Sequence, residues 1–186
     1  MSNTLKLAPD LYNNPGKTAI PGMRVDFRKI SLVVGDLITT QIVALGVLPA
    51  GHRLMHAFIE SASLDAHTTT TITVTVGVLN TYYNEAPAGT TGIKFNAGAT
   101  PQSAADYSSG GATNTDVDPQ LVTGQNIITA STIPRAGGRV DVFSLAFSTA
   151  IGIDTKYDRI IAIQFPALPA TAAAGVFGLG LVIDEQ

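Results

Sequence analysis

The chain of 186 residues carries 11 Lys and Arg against 14 Asp and Glu, a net charge of −3, and contains no cysteine. This length suits one domain with a sizeable core, and the absence of cysteine excludes disulfide and thiolate chemistry. The scattered basic residues lack the stripe that nucleic-acid binding needs, and no polybasic amphipathic segment, run of 18 apolar residues or secretory leader is visible. We therefore expect neither a nucleic-acid nor a membrane partner, and the absence of cysteine fits synthesis in a reducing cytoplasm.

Charge is sparse along this chain. Charged residues make up 13% of the sequence, about half the usual share of a soluble domain, while hydrophobic residues make up 45%. Between Lys29 and Lys94 the single basic residue is Arg53. Because interface cores are depleted in charge, this composition favours a protein that associates with other subunits, although a neutral Thr-rich surface would look similar.

Residues 1–22 are predicted to form an extended arm. Prolines and turn residues forbid a regular helix and discourage a central strand, while leucines and Tyr12 offer surface that a neighbour could bury. We expect the arm to lie outside the folded body, and its removal to weaken assembly while leaving the melting temperature nearly unchanged. The residues that break regular structure are Pro9, Pro15, Pro21, Asn13, Asn14 and Gly16.

Residues 23–186 are predicted to form a single β-sandwich domain. The clearest strand is 70–79, where Ile72, Val74, Val76 and Val78 alternate with threonines, which predicts one buried and one wet face. About eight strands and no amphipathic helix suit an all-β, two-sheet antiparallel sandwich of the jelly-roll kind. The other predicted strands are 24–34, 37–48, 53–64, 140–147, 157–165 and 174–184, with weaker candidates at 92–96 and 126–130.

Two strands show a change in the phase of alternation. In 24–34 the apolar residues change from odd to even positions near Arg28 and Lys29, and 140–147 repeats the change. Such a change predicts a β-bulge or a bend between sheets. In the last strand, Gly178 and Gly180 lie opposite a row of apolar residues, so we expect another backbone, such as that of a neighbouring subunit, to approach there.

Residues 84–125 are rich in Ala, Gly, Ser, Thr and Asn and are predicted to be a long irregular loop or projection within the domain. A single helical turn fits 101–107. Asp116 and Asp118 could contribute oxygens to a calcium site, but a complete calcium-binding loop is missing. No metal site is therefore assigned.

No catalytic constellation emerges from the residue spacing. His52 and His56 lack the glutamate of the zinc-protease pattern, and four residues apart on a strand they are about 13 Å apart, too far to share one zinc ion. His67 lies in a predicted turn. The sequence also lacks a nucleophile elbow and a phosphate-binding loop. We therefore predict a protein that is not an enzyme, with no catalytic, cofactor-binding or metal-binding residues and no cofactor.

Residues 24–80 resemble a pattern found in structural proteins of tailed bacteriophages. Gly35–Ile38 (GDLI) leads into Leu45–Leu54 (LGVLPAGHRL), followed by Glu60, the acidic turn 64–67 and the Thr-rich strand 68–77. The resemblance implies a virion protein, most specifically a capsid decoration or cement protein, commonly a trimeric β-sandwich on the outside of the phage head. It identifies no functional residues.

The partners that this resemblance implies are other copies of the chain, with a trimer favoured, and the major capsid protein or another virion protein. Three alternatives remain open. The chain could be a small jelly-roll capsid subunit, a head-fibre or tail component, or a carbohydrate-binding β-sandwich module. The last would need exposed aromatic side chains; the sequence has no Trp, and its grouped candidates are Tyr82, Tyr83 and Tyr107.

Overall fold

The computed structural model describes residues 4–8, 23–85, 91–95, 120–142, 151–153 and 158–184. These residues are almost entirely β-structure, with a 3₁₀ turn at Val34–Asp36 and a helical turn at Ile133–Ala136. The strands are β1 Thr4–Leu7, β2 Met23–Leu32, β3 Gln41–Leu48, β4 Arg53–Ser61, β5 Thr73–Glu85, β6 Thr91–Phe95, β7 Leu121–Ser131, β8 Gly138–Val142, β9 Asp158–Ala167 and β10 Gly175–Asp184.

The strands form two stacked sheets. Sheet A has the order β1-β3-β9-β5-β6, with β7 also paired to β5, and sheet B has the order β2-β10-β4-β8. Without β1 and β6, the eight remaining strands form two four-stranded antiparallel sheets, β3-β9-β5-β7 and β2-β10-β4-β8, which is the jelly-roll arrangement. The predicted two-sheet antiparallel sandwich is confirmed.

The hydrophobic core lies between the sheets, where inward side chains from both sheets meet. The predicted inward row is confirmed, since Ile72 just before β5 and Val74 and Val76 within it are fully buried and Val78 is 3% exposed. The expectation that the opposite row is wet is wrong, because Thr73 and Leu79 in it are buried as well. The apolar row of β10 also faces this core, with Phe177, Leu179, Leu181 and Ile183 at 0–1% exposure. Burial of these β-branched and aromatic side chains is the main term that stabilises the sandwich.

The predicted irregularity in β2 is wrong. This strand pairs with β10 in unbroken register from Met23 to Leu32, and every even-numbered residue from 26 onwards faces the core. The apparent phase change arises because Asp26 and Arg28 occupy inward positions, at 3% and 7% exposure, where their side chains form an ion pair at 3.2 Å. Buried charges are tolerated when they are paired. Because Asp26 and Arg28 point inward, Val25 and Phe27 at the alternate positions point to the outer face.

Part of the N-terminal arm belongs to sheet A. Thr4–Leu7 pairs with β3 in parallel, the Lys6 ammonium forms an ion pair with Asp36, and Ala8 is 2% exposed. This differs from the expectation that the arm lies outside the sandwich. Proline cannot donate a backbone hydrogen bond, so the proline at position 9 is compatible with a strand of only four residues at the edge of the sheet. The division at residue 22 stays a prediction, and residues 9–22 are outside the described part.

Several sequence predictions concern the region between β5 and β7. β5 continues to Glu85 and pairs with β6, which confirms the weaker strand candidate within the predicted loop. The rest of that loop, including the helical turn 101–107, lies outside the described residues. So do Phe143, Leu145 and Phe147, on which the second phase change was based, although β8 itself is present up to Val142.

The two sheets differ in how their outer faces are covered. The central strands of sheet A are buried on both faces, since β3 and β9 show nearly continuous burial rather than alternation. In sheet B, by contrast, β2 alternates between exposed and buried positions, and large apolar side chains stay exposed on it. Among the strands whose burial the structure describes, β2 of sheet B therefore leaves its outer face the most exposed to water.

Candidate assembly surface

The outer face of sheet B is built from side chains that alternate with the core residues. Because paired residues of antiparallel strands point to the same side, the register assigns its members directly. They are Met23, Val25, Phe27, Lys29 and Ser31 on β2; Val176, Gly178, Gly180, Val182 and Asp184 on β10; Arg53, His56, Phe58 and Glu60 on β4; and Arg139 and Asp141 on β8.

Two phenylalanines cover the glycines of β10 on this face. Gly180 is paired with Phe27 on one side and Phe58 on the other, and the two rings stack at 5.4 Å between centroids. A Cβ at residue 180 would lie 2.1 Å from the Phe58 ring, and one at residue 178 would lie 3.0 Å from the Phe27 ring. The expectation that another backbone approaches these glycines is therefore wrong. Their missing side chains are replaced by rings of the chain's own neighbouring strands.

A group of ion pairs lies beside the phenylalanines. Arg139 contacts Asp141 at 2.7 Å and Glu60 at 3.5 Å, and Lys29 reaches Glu60 at 3.8 Å. The hydrogen bond from Arg139 lowers the pKa of Asp141, and the same bond raises the pKa of Arg139. The Arg139 guanidinium also lies 3.8 Å from the centroid of the Phe58 ring. These charges balance one another, so this end of the face is polar but nearly neutral.

At the opposite end of the face, the side chains of β2 are apolar, although Asp184 pairs with Met23 there and Arg53 lies on the far side of Asp184. Met23 and Val25 are each 62% exposed and Phe27 is 39% exposed. We call Met23, Val25 and Phe27 the β2 row. Exposed apolar side chains at successive outward positions of one strand are typical of a surface that contacts another molecule.

A shallow depression lies at the charged end. Its volume is about 400 Å³, and its lining includes Lys29, Glu60, Arg139 and Val176. Ser61 also lines it, and its hydroxyl donates a hydrogen bond to the Ala62 carbonyl at 2.7 Å. Within the described ranges, no three His, Asp or Glu side chains are grouped closely enough to hold a metal ion.

The three histidines are placed apart. The ring of His52 hydrogen-bonds through Nδ1 to the Ala50 carbonyl at 2.8 Å. His56 lies on the outer face of sheet B, 3.5 Å from Asp141, and His67 accepts the Thr69 backbone N–H in a turn. Each therefore has a local structural contact. The calcium candidates Asp116 and Asp118 lie outside the described residues.

Asp65 is the buried polar anchor that sequence reasoning missed. Its carboxylate accepts backbone N–H groups from Thr71, Ala170 and Thr171 at 2.8–3.0 Å and from His67 at 3.2 Å. Burial alone would raise the pKa of Asp65, but these hydrogen bonds outweigh it and hold the pKa well below its usual range. The carboxylate thus ties the turn after β4 to the β9–β10 connection. The sequence signal that could have revealed this role is an acidic residue in a turn between two predicted strands.

No helix within the described ranges is long and apolar enough to cross a membrane. Of the tyrosines considered for sugar stacking, Tyr82 and Tyr83 are within β5, and Tyr107 is outside the described part. The aromatic pair on the outer face of sheet B is instead Phe27 and Phe58, which lie over the glycines of β10.

Two solved structures share this fold. A chain of the capsid of Ralstonia phage GP4 superposes with a TM-score of 0.68 at 21% sequence identity, over 98% of this chain and 99% of that one. A chain of the cyanophage Pam1 capsid asymmetric unit superposes with a TM-score of 0.53 at 18% identity, over 92% and 91%. No protein-family model and no curated protein matches the sequence. The architecture is therefore one that phage capsids contain, over essentially its whole length.

Proposed function

We propose that this chain is a non-enzymatic structural protein of a bacteriophage virion, specifically a decoration or cement protein that binds the outside of the head and stabilises it. The observation that carries the proposal is the match of this fold to a chain of a phage capsid, over 98% of this chain and 99% of that one. The resemblance of residues 24–80 to phage structural proteins supports the same role from the sequence.

The surface fits a protein that works by contact. The central strands of sheet A are buried on both faces. The outer face of sheet B combines the β2 row with four ion-paired charges, Lys29, Glu60, Arg139 and Asp141. Pairing lowers the electrostatic cost of desolvating these four charges when the face is covered. On a head lattice, many copies bind at once, so modest individual contacts suffice.

The proposed partners are the major capsid protein or another virion protein, together with other copies of this chain in a homo-oligomer, for which a trimer is favoured. Its location is the virion after synthesis in the host cytoplasm. A small jelly-roll capsid subunit is the second candidate, because both structural neighbours come from capsids. Head-fibre, tail and carbohydrate-binding roles have no comparable support.

The experiment is co-sedimentation of the purified protein with phage heads assembled without it. We expect saturable binding and a higher temperature of head disruption, whereas heads that already carry the protein should bind no more. Absence of binding at micromolar protein would refute the decoration role. Electron microscopy of the protein alone separates the second candidate, because closed shells formed without another component would identify a capsid subunit.

A further inference from the structure

The strand edges of the two sheets are protected in different ways. A free edge is a template for pairing with another strand, and charged side chains, short strands and bulges protect against this. β2 carries the inward pair Asp26 and Arg28, the five-residue β8 carries Arg139 and Asp141, and β7 changes register several times against β5. Residues 41–44 of β3 are uncharged and lie before the register shift of that strand. Their free side is covered instead by β1.

β1 is joined to the sandwich by a short set of contacts. Its four residues pair with β3 in parallel, the N–H of Ala8 donates to the Ala44 carbonyl at 2.9 Å, and the Ala8 side chain is buried. A parallel pair is slightly less stable per residue than an antiparallel one. β1 is the last strand at this end of sheet A, so its departure breaks a single ladder, and β3 keeps its antiparallel pairing with β9.

The connection from β1 to the next strand is long. β1 belongs to sheet A and β2 to sheet B, so the two strands share no ladder. Residues 9–22 separate them. A connection of this length spans up to about 46 Å when fully extended, whereas stacked sheets lie about 10 Å apart. The length of the connection therefore does not hold β1 against β3.

One ion pair fixes β1 to the turn that precedes β3. The ammonium of Lys6, the charged residue of β1, contacts the Asp36 carboxylate, and the two side chains are 32% and 13% exposed. The same carboxylate accepts the Val33 N–H at 2.8 Å, which holds it in place on the 3₁₀ turn. An ion pair loses much of its stability to the freedom of its two side chains, so fixing one partner beforehand strengthens it.

We infer that β1 is a releasable strap over the β3 edge and that the Lys6–Asp36 ion pair is its latch. With the latch closed, the edge at 41–44 is covered. When the strap opens, the rest of the sandwich stays folded, and this uncharged edge becomes a pairing site for one extended strand with the sequence of β1. The device belongs to the single chain, so it holds whether or not the chain decorates a phage head.

Residue-resolved hydrogen exchange of the intact protein in low urea tests the opening. Urea promotes an opening in proportion to the surface that becomes exposed, and release of β1 exposes little. Exchange of the Ala8 amide and of the β3 amides that face β1 should therefore depend weakly on urea. The amides of β10, a strand paired on both sides, should respond steeply. Equal urea dependence at Ala8 and in β10 would show that β1 leaves only when the whole domain unfolds, and would overturn the inference.

The latch is tested by removing each charge in turn. Asp36→Asn keeps an acceptor for the Val33 N–H, and Lys6→Met keeps the side-chain stem. Each should raise exchange at Ala8 by about fivefold, and the double variant should show no further increase, because both changes break one contact. Asp141→Asn is the matched control, since it removes an ion pair from sheet B and should leave Ala8 unchanged. Effects that multiply in the double variant would refute the latch.

A labelled peptide of residues 1–8, followed by fluorescence anisotropy at up to millimolar concentration, tests the uncovered edge as a pairing site. In the Lys6→Met protein the strap is weakened while Asp36 is kept, so the natural-sequence peptide should bind this variant about fivefold more tightly than it binds the natural protein. A peptide that itself carries Lys6→Met should lose this advantage. Absence of binding to the Lys6→Met protein would refute the pairing site. Head binding is measured separately, so that result would leave the proposed function in place.

Discussion

Replacing Gly180 by alanine tests the packing of the phenylalanines on sheet B. The added Cβ would lie 2.1 Å from two ring carbons of Phe58, far inside van der Waals contact. The backbone of β10 is fixed by strands on both sides, so the ring has to move. A displaced Phe58 loses its stacking on Phe27 and its contact with the Arg139 guanidinium.

The magnitude follows from two opposing terms. Inserting a methyl group into a well-packed site costs about 1–3 kcal/mol. Glycine to alanine in a strand, without strain, instead stabilises by about 0.4–1 kcal/mol, because the unfolded chain loses conformational freedom. With the ring present, we expect a net loss of about 1–2 kcal/mol for Gly180→Ala. With Phe58 replaced by alanine, the clash is gone, and the same change should be neutral or slightly stabilising.

The assay is a double-mutant cycle of Gly180→Ala and Phe58→Ala by urea denaturation at one protein concentration. We expect a coupling free energy of about 2 kcal/mol, since the two changes act on one contact. Gly178→Ala is the matched control, because its Cβ would lie 3.0 Å from the Phe27 ring and requires a much smaller shift. Effects of Gly180→Ala and Phe58→Ala that add within about 0.5 kcal/mol would refute the proposed packing.

Three further predictions address the core, the buried carboxylate and the N-terminal strand. Val74→Asp should lower the free energy of unfolding by at least about 4 kcal/mol, because an unpaired charge enters the core. Val33→Asp, which changes an exposed side chain, should cost little. A Val74→Asp variant that melts unchanged would show that the β5 register is wrong. Asp65→Asn should lower the melting temperature at pH 7. Because the native pKa of Asp65 is below its unfolded value near 3.9, its stabilisation is present above that value and is lost as pH falls from about 5, so melting of the variant should depend less on pH in this range. A parallel pH dependence in both proteins would contradict this assignment. Deletion of residues 1–22 should lower the melting temperature, because β1 and the buried Ala8 are lost from sheet A, and an unchanged melting temperature would restore the interpretation of the arm as a separate tail.

The fold class and the main core residues could be predicted from the sequence alone. Period-two alternation in β5 and β10 identified the inward residues, because every second side chain of a strand must point to the same face. Turn residues between the apolar runs located most strand boundaries to within a few residues. The inward residues and the ends of a strand depend on the residues of that strand and its flanking turns, so they can be predicted without knowing the neighbouring strands.

The candidate site depended on side-chain contacts that the alternation of apolar and polar residues does not reveal. The phase of β2 was misjudged because Asp26 and Arg28 look like surface residues until each is seen to pair with the other inside the sandwich. The role of Gly178 and Gly180 was misjudged because Phe58, which covers Gly180, lies more than a hundred residues away in the chain.

The sequence by itself determined that this chain forms a β-sandwich with sparse charge and a continuous apolar core. Only the tertiary structure decided which strand leaves its outer face most exposed, that β1 joins sheet A, and that the exposed apolar residues Met23, Val25 and Phe27 form one row. The physical reason is that exposure depends on what packs against a strand. Alternation assigns residues to two faces, but the partners from the rest of the chain decide which of those faces meets water.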